Sequence, residues 1–78
     1  MYRFLVIIEK AKKNFGAYCP DLPGCVATGK TKAEVEKNMY EAIEIHIQGM
    51  IEDGLEIPLP LAEAEVVVFP EPKRARGR

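Results

Sequence analysis

The stretch Tyr18-Cys-Pro-Asp-Leu-Pro-Gly-Cys25, continued by Val26-Ala-Thr-Gly-Lys-Thr31, decides how this chain folds. Pro20 and Pro23 fix their own φ and bias the residues before them, Cys19 and Leu22, toward extended geometry. Gly24 offers a position that accepts positive φ without steric cost. The run therefore reads as a rigid turn, with a short strand over residues 25–28 leaving it. Thr31-Lys32-Ala33-Glu34 then matches a capping box, in which a hydroxyl and a carboxylate satisfy backbone donors at a helix start.

Outward from that stretch the pattern stays legible. Downstream, Val35, Met39, Ala42, Ile43, His46, Ile47 and Met50 recur at helical spacing, and Gly54 is a good residue for the helix to stop on. Pro58 and Pro60 force an extended connector. Residues 65–69, with Val66-Val67-Val68 at their centre, read as a last strand. Upstream, residues 2–8 read as a strand, with Tyr2, Phe4, Val6 and Ile8 on one face and Leu5 and Ile7 on the other. Residues 11–14 suit a hairpin loop, and residues 15–19 a second strand. No internal repeat is present. The order predicted is β-β-β-α-β, an α+β two-layer domain in which one helix covers one face of a small sheet. The first and last strands are apolar on both faces, so the second face needs a cover of its own. A homodimer is the simplest.

At 78 residues the chain is one small domain with a thin core. Residues 1–69 are read as the domain and residues 70–78 as a basic, disordered tail. No apolar run approaches the roughly 20 residues that span a bilayer, and the first residues do not read as a signal peptide, so the expected location is the cytoplasm. A net charge of −1 conceals three blocks. Residues 1–33 carry six basic and two acidic side chains. Residues 34–65 carry nine acidic side chains against Lys37 alone. The tail carries Lys73, Arg74, Arg76 and Arg78 against Glu71. An acidic middle block suits a basic partner far better than it suits nucleic acid; its ordinary reading is a solvated helix face.

Candidate chemistry is sparse. Cys19 and Cys25 flank the turn and are read as reduced and packed, as is usual for cytoplasmic cysteines. A zinc site needs further ligands, and His46 stands alone, so no metal or cofactor is assigned. His46 on the apolar stripe reads as a core or interface histidine, and with no serine in the chain a Ser-His-Asp arrangement is impossible. Glu9, Asp21 and Glu65 are too scattered for a two-metal nuclease. Gly24 to Thr31 formally completes G-x-x-x-x-G-K-T, yet the interval Cys-Val-Ala-Thr reads as strand. Its N–H groups then serve a ladder and not a phosphate nest. One outward patch remains on the helix: Glu34, Glu41, Ile45, Gln48 and Glu52 share a side, with Ile45 as an anchor amid polar groups. An isolated exposed isoleucine is the plain alternative.

The run from Tyr18 to Cys25, then Thr28-Gly-Lys-Thr31, Ala33-Glu34 and Asn38 through Glu41-Ala-Ile-Glu44, resembles the HicB-type antitoxin family. That family is marked by a Pro-Asp-x-Pro-Gly-Cys turn, a Gly-Asp-Thr helix start and an Asn-x-x-Glu-Ala-Ile helix. Gly54-Leu-Glu-Ile-Pro-Leu-Pro60 fits the usual departure from that helix, and the likeness extends over residues 2–69. The resemblance implies a partial ribonuclease-H-like fold without catalytic acids. It implies a non-enzymatic antitoxin that masks a small HicA-like RNA-cleaving toxin, and a dimer or tetramer. Lys30 departs from the family, which commonly has an acid there. Many members also carry a C-terminal DNA-binding domain, for which the nine residues after Phe69 are too few, so operator binding through one is not expected. The alternative reading is an orphan nucleic-acid-binding or regulatory interaction module using the basic N-terminal block and the tail.

Overall fold

The computed structural model of the protein describes residues 2–73. Strands β1 (Ile7–Lys10), β2 (Phe15–Tyr18) and β3 (Val26–Gly29) precede one helix, α1 (Lys32–Glu52). The strands form one antiparallel sheet in the order β1-β2-β3. This is the α+β, one-sheet, one-helix architecture expected from the sequence.

Two successive turns reverse the chain between β2 and β3. Leu22 N–H donates to the Cys19 carbonyl at 3.1 Å, and Cys25 N–H to the Leu22 carbonyl at 3.0 Å. Each turn has a proline at its second position, where fixed φ costs nothing, and Gly24 takes φ of 83° in the second, as a type II turn requires. Cys19 N–H then donates to the Cys25 carbonyl at 3.3 Å and closes the loop. The hairpin between β1 and β2 falls on residues 11–14 as expected, with Ala11 N–H donating to the Asn14 carbonyl at 2.8 Å.

The helix ends follow local chemistry. Thr31 is the N-cap, and its hydroxyl accepts from Glu34 N–H at 3.0 Å. The return bond differs in detail from the expected box, because the Glu34 carboxylate accepts from Lys30 N–H, one residue before the cap. At the other end, Leu55 N–H donates to the Met50 carbonyl and Gly54 N–H to the Ile51 carbonyl, with Gly54 at φ of 70°. That pair of bonds is a Schellman motif, which satisfies carbonyls the helix leaves orphaned.

Packing is concentrated at one end of the helix. Ala17, Cys19, Leu22, Cys25, Val35 and Met39 are buried, with Phe4, Val6, Ile8, Phe15, Ala27, Ala42, Ile43, Ile47 and Met50 half-buried around them. The helix lies chiefly on β3, less on β2, and hardly touches β1. Gly29 makes the close approach possible, since a Cβ there would stand 2.6 Å from the Val35 nitrogen. Asn38 Nδ2 adds a bond to the Thr28 carbonyl at 2.8 Å. A 21-residue helix is about 31 Å long, whereas four-residue strands span only about 13 Å. The second half of α1 therefore overhangs the sheet, and the apolar stripe fades from buried to half-buried along it.

Two strand expectations are corrected. Residues 2–6 join no ladder, so β1 begins at Ile7 and not at Tyr2. Its partner runs out: Tyr18 pairs with Ile7, and beyond it Cys19 and Pro20 turn away to serve the loop. The fourth strand expected over residues 65–69 does not form. Val66 and Val68 are 91% and 93% exposed, and Val67 and Phe69 are nearly as open. A strand needs a neighbour for its backbone, and among the described residues no strand pairs with these. With these residues uncovered, the chain has a radius of gyration of 17.0 Å and a longest extent of 60 Å. A compact chain of this size would have a radius of about 11–12 Å.

Candidate partner-binding surface

The acidic helix face is a local consequence of the same 3.6-residue period that builds the core stripe. With Val35, Met39, Ile43 and Ile47 turned to the sheet, Glu41, Ile45, Gln48 and Glu52 turn to solvent. Ile45 is 73% exposed. It lies in a shallow groove with Glu44, Gln48, Gly49 and Glu52. Gln48 Nε2 donates to Glu52 Oε2 at 3.4 Å, and Lys37 Nζ stands 4.0 Å from Glu41 Oε2. Both contacts are exposed and one helical turn apart, so they hold the polar side chains only loosely and leave the carboxylates available.

Of the five residues singled out from the sequence, the structure gathers three tightly. Ile45, Gln48 and Glu52 share the groove. Glu41 lies one turn toward the N-terminus on the same side, engaged with Lys37. Glu34 is eleven residues from Ile45, its carboxylate holds the Lys30 amide, and it lines a separate depression with Lys13, Asn14, Thr28, Gly29 and Lys30. Its first task is capping. The groove adds Glu44 and Gly49, which a helical wheel sets at the margin of the patch and which become part of it because Gly49 has no side chain to fill the surface.

The remaining candidates separate. Val26–Gly29 pairs with β2 along its length, so the P-loop-like spacing is occupied by a ladder. Among the described residues no three His, Cys, Asp or Glu side chains converge on a point that could hold a metal ion. His46 is half-buried on the overhanging part of the helix. Cys19 and Cys25 are buried free thiols; burial, with Cys19 beside it, pushes the Cys25 thiol above its ordinary value of 9.0. Arg74, Arg76 and Arg78 lie outside the described residues, whereas Lys73 is exposed.

Asp21 has a role that no spacing announced. Its carboxylate accepts Leu61 N–H at 3.3 Å and Ala62 N–H at 3.2 Å, across forty residues of chain. The turn between β2 and β3 thus clamps the connector, and Pro60, Ala62 and Glu63 come to line one open cleft with Arg3, Phe4 and Leu5. The only sequence signal was a carboxylate held in a rigid turn.

A three-stranded antiparallel sheet carrying one long helix, with carboxylates and an exposed isoleucine on its outer face, makes a small α+β domain. The chain belongs to the HicB-like antitoxin family of bacterial toxin–antitoxin systems, whose model matches residues 4–74. It is similar to a chain of a solved HicA3–HicB3 toxin–antitoxin complex, with a TM-score of 0.65 and 34% identity, covering 78% of this chain and 72% of that one. An uncharacterised 14.9 kDa protein from the rep–hol intergenic region of Haemophilus phage HP1 is 43% identical over 53 residues. That match spans 68% of this chain but only 40% of the phage protein. A UPF0150 protein of Thermoplasma acidophilum is 37% identical over 62 residues, 78% of this chain and 90% of its own length. No helix among the described residues is long and apolar enough to cross a membrane.

Proposed function

We propose that this protein is the antitoxin of a toxin–antitoxin pair and acts in the cytoplasm, without catalysis of its own, by binding and masking a small HicA-like RNA-cleaving toxin. The observation that carries the reading is the likeness, in both fold and sequence, to a chain of a HicA3–HicB3 complex. The charge distribution supports it. A protein that grips RNA presents cationic side chains, and the carboxylates strung along the outer face of α1 offer such a surface a competing set of negative charges. Ile45 would be the desolvated anchor, with Glu41, Gln48 and Glu52 as its polar surround and Glu34 at the far end of the same face.

The test is co-expression with the product of the small reading frame beside the gene, followed by co-purification and an RNA-cleavage assay. A stable complex that silences a ribonuclease is the expected result. Within that complex, Ile45→Asp should weaken binding by at least about tenfold, as for a central anchor. A neighbour that neither binds nor cleaves RNA would end the antitoxin reading. A silenced toxin bound equally well by the Ile45→Asp variant would keep that reading and move the interface off the helix.

A further inference from the structure

Two nucleophilic side chains have no part in the antitoxin reading, and the fold sets them against each other. Cys19 and Cys25 are the two cysteines of the chain, and both are free thiols buried to 3% exposure. The β2–β3 ladder pairs Ala17 with Ala27 and Tyr18 with Val26, so the next rung sets Cys19 opposite Cys25. The bond from Cys19 N–H to the Cys25 carbonyl, at 3.3 Å, is that rung. Side chains alternate between faces along a strand. The exposed Tyr18 and Val26 therefore point one way and the two cysteines the other, into the cluster with Leu22, Val35 and Met39.

Opposite residues on such a rung have Cα atoms about 5.5 Å apart, inside the roughly 4.4–6.8 Å that a disulfide spans. Their Cβ atoms, about 4.5–5.5 Å apart, must close to about 4 Å. The rung has slack for that. A full rung exchanges two N–H···O bonds. Here the Cys25 N–H donates to the Leu22 carbonyl and the Cys19 carbonyl accepts from Leu22 N–H, so one bond joins the pair across the strands. The pair also stands where the ends of the turn meet, and Asp21 within that turn holds Leu61 and Ala62. Burial, with Cys19 beside it, raises the Cys25 thiol, which keeps it protonated and slow to react at neutral pH.

We propose that Cys19 and Cys25 form a dithiol site that a small-molecule disulfide oxidises to an internal Cys19–Cys25 bond, fixing the turn that carries Asp21. The exchange balances in two steps. One cysteine, as thiolate, attacks a sulfur of the small disulfide. A mixed S–S bond forms, the small molecule's own S–S bond breaks, and one small thiolate leaves and takes up the proton. The second cysteine, as thiolate, attacks the first cysteine's sulfur, forming the internal bond and expelling the other small thiolate, which is protonated in turn. Two electrons pass from the cysteine pair to the small disulfide, which departs as two thiols. Attack takes place when the turn opens, so burial governs how fast the bond forms and the spacing governs how much of it forms. With both sulfurs in the core, the folded chain has no sulfur to offer a second chain. In a reducing compartment the thiols prevail, and the bond marks a shift to oxidising conditions. Closing the turn tightens the hold of Asp21 on the connector. This inference is independent of the identity of any toxin.

The experiment uses the full wild-type chain, brought to equilibrium with reduced and oxidised glutathione at mildly alkaline pH, once native and once in urea. Acid quenching, alkylation and intact-mass measurement give the fraction that has lost two hydrogens. The expected result is an equilibrium constant for the internal bond at least about tenfold larger in the native chain than in urea. Cleavage before Asp21, the one acidic residue between the two cysteines, should yield fragments that stay joined until a reductant is added. Amide exchange at Leu61 and Ala62 should be slower in the oxidised chain. An equilibrium constant no larger in the native chain than in urea overturns the proposal, because the fold then does nothing to pair the thiols. Glutathione held on one cysteine, or a bond between two chains, in place of the internal bond also overturns it. Unchanged exchange at Leu61 and Ala62 overturns the link between the bond and the clamp.

Discussion

Gly29→Ala tests the joint on which the fold turns. A Cβ at Gly29 would lie 2.6 Å from the Val35 nitrogen, 2.9 Å from its Cα and 3.0 Å from the Glu34 carbonyl carbon. All three are backbone atoms in the first turn of α1, so no side chain can swing aside. The start of the helix must back away, and overpacking of this kind costs about 1–3 kcal/mol. The displaced turn carries the Thr31 cap and lies beside the Asn38–Thr28 bond, so roughly another 1 kcal/mol is at risk there. Reduced freedom of the unfolded chain returns about 0.4–1 kcal/mol. The net is about 2 kcal/mol, which for a domain of this size lowers the melting temperature by roughly 8–16 °C. Circular dichroism melts at matched protein concentration measure it, and Gly16→Ala is the control. Gly16 lies in the same sheet, and nothing stands within 4 Å of its added Cβ. The control should melt within a few degrees of wild type. Equal melting of Gly29→Ala and wild type would refute the claim that backbone contact at this glycine sets the helix on the sheet.

Gly49→Ala should do the opposite. The site is helical with nothing within 4 Å of the added Cβ, so a gain of about 0.5–1 kcal/mol is expected in urea denaturation; a loss would show that the groove beside Ile45 is filled by something in the free protein. Asp21→Ala removes both acceptors of the connector clamp, and hydrogen exchange at Leu61 and Ala62 should accelerate while exchange in α1 is unchanged. Unaltered exchange at those two amides would show that the clamp is not what holds the connector. Cys25 gives a pH signature. Its folded thiol is held above its ordinary value, so as pH rises through that ordinary value of 9.0 the unfolded chain releases this proton before the native chain does. Stability is therefore unaffected at neutral pH and falls with rising pH around that value. Cys25→Ala should flatten part of that slope, and identical slopes in the two proteins would remove burial of the thiol as the cause.

Much of this fold could be read locally because its punctuation is chemical. Pro20, Pro23 and Gly24 set two turns through their own φ preferences, and Thr31 and Gly54 bound the helix within a residue or two of the expected points. The hairpin at residues 11–14 and the strand occupying the P-loop-like interval followed from alternation and turn chemistry in the same way. Glu41, Ile45, Gln48 and Glu52 could be assigned to one outward face because a helical period fixes direction once the core stripe is known. The family resemblance rests on those same local motifs, and the match over residues 4–74 bears it out.

What tertiary structure alone decided is every question whose answer depends on a partner distant in sequence. Tyr2 to Val6 has the pattern of a strand, but β2 ends at Tyr18 and leaves it nothing to pair with. Residues 66–69 have the composition of a strand and lie exposed, because a ladder needs a second backbone and none among the described residues pairs with them. Glu34 shares a helix face with Ile45 but is drawn into the cap. Asp21 gains its role from amides forty residues away. Propensity acts within a turn or two of chain, so it specified the turns, the caps and the direction of each helical side chain. Pairing and burial act between segments, so only the assembled sheet and helix determined which apolar stretches were covered and which stayed open.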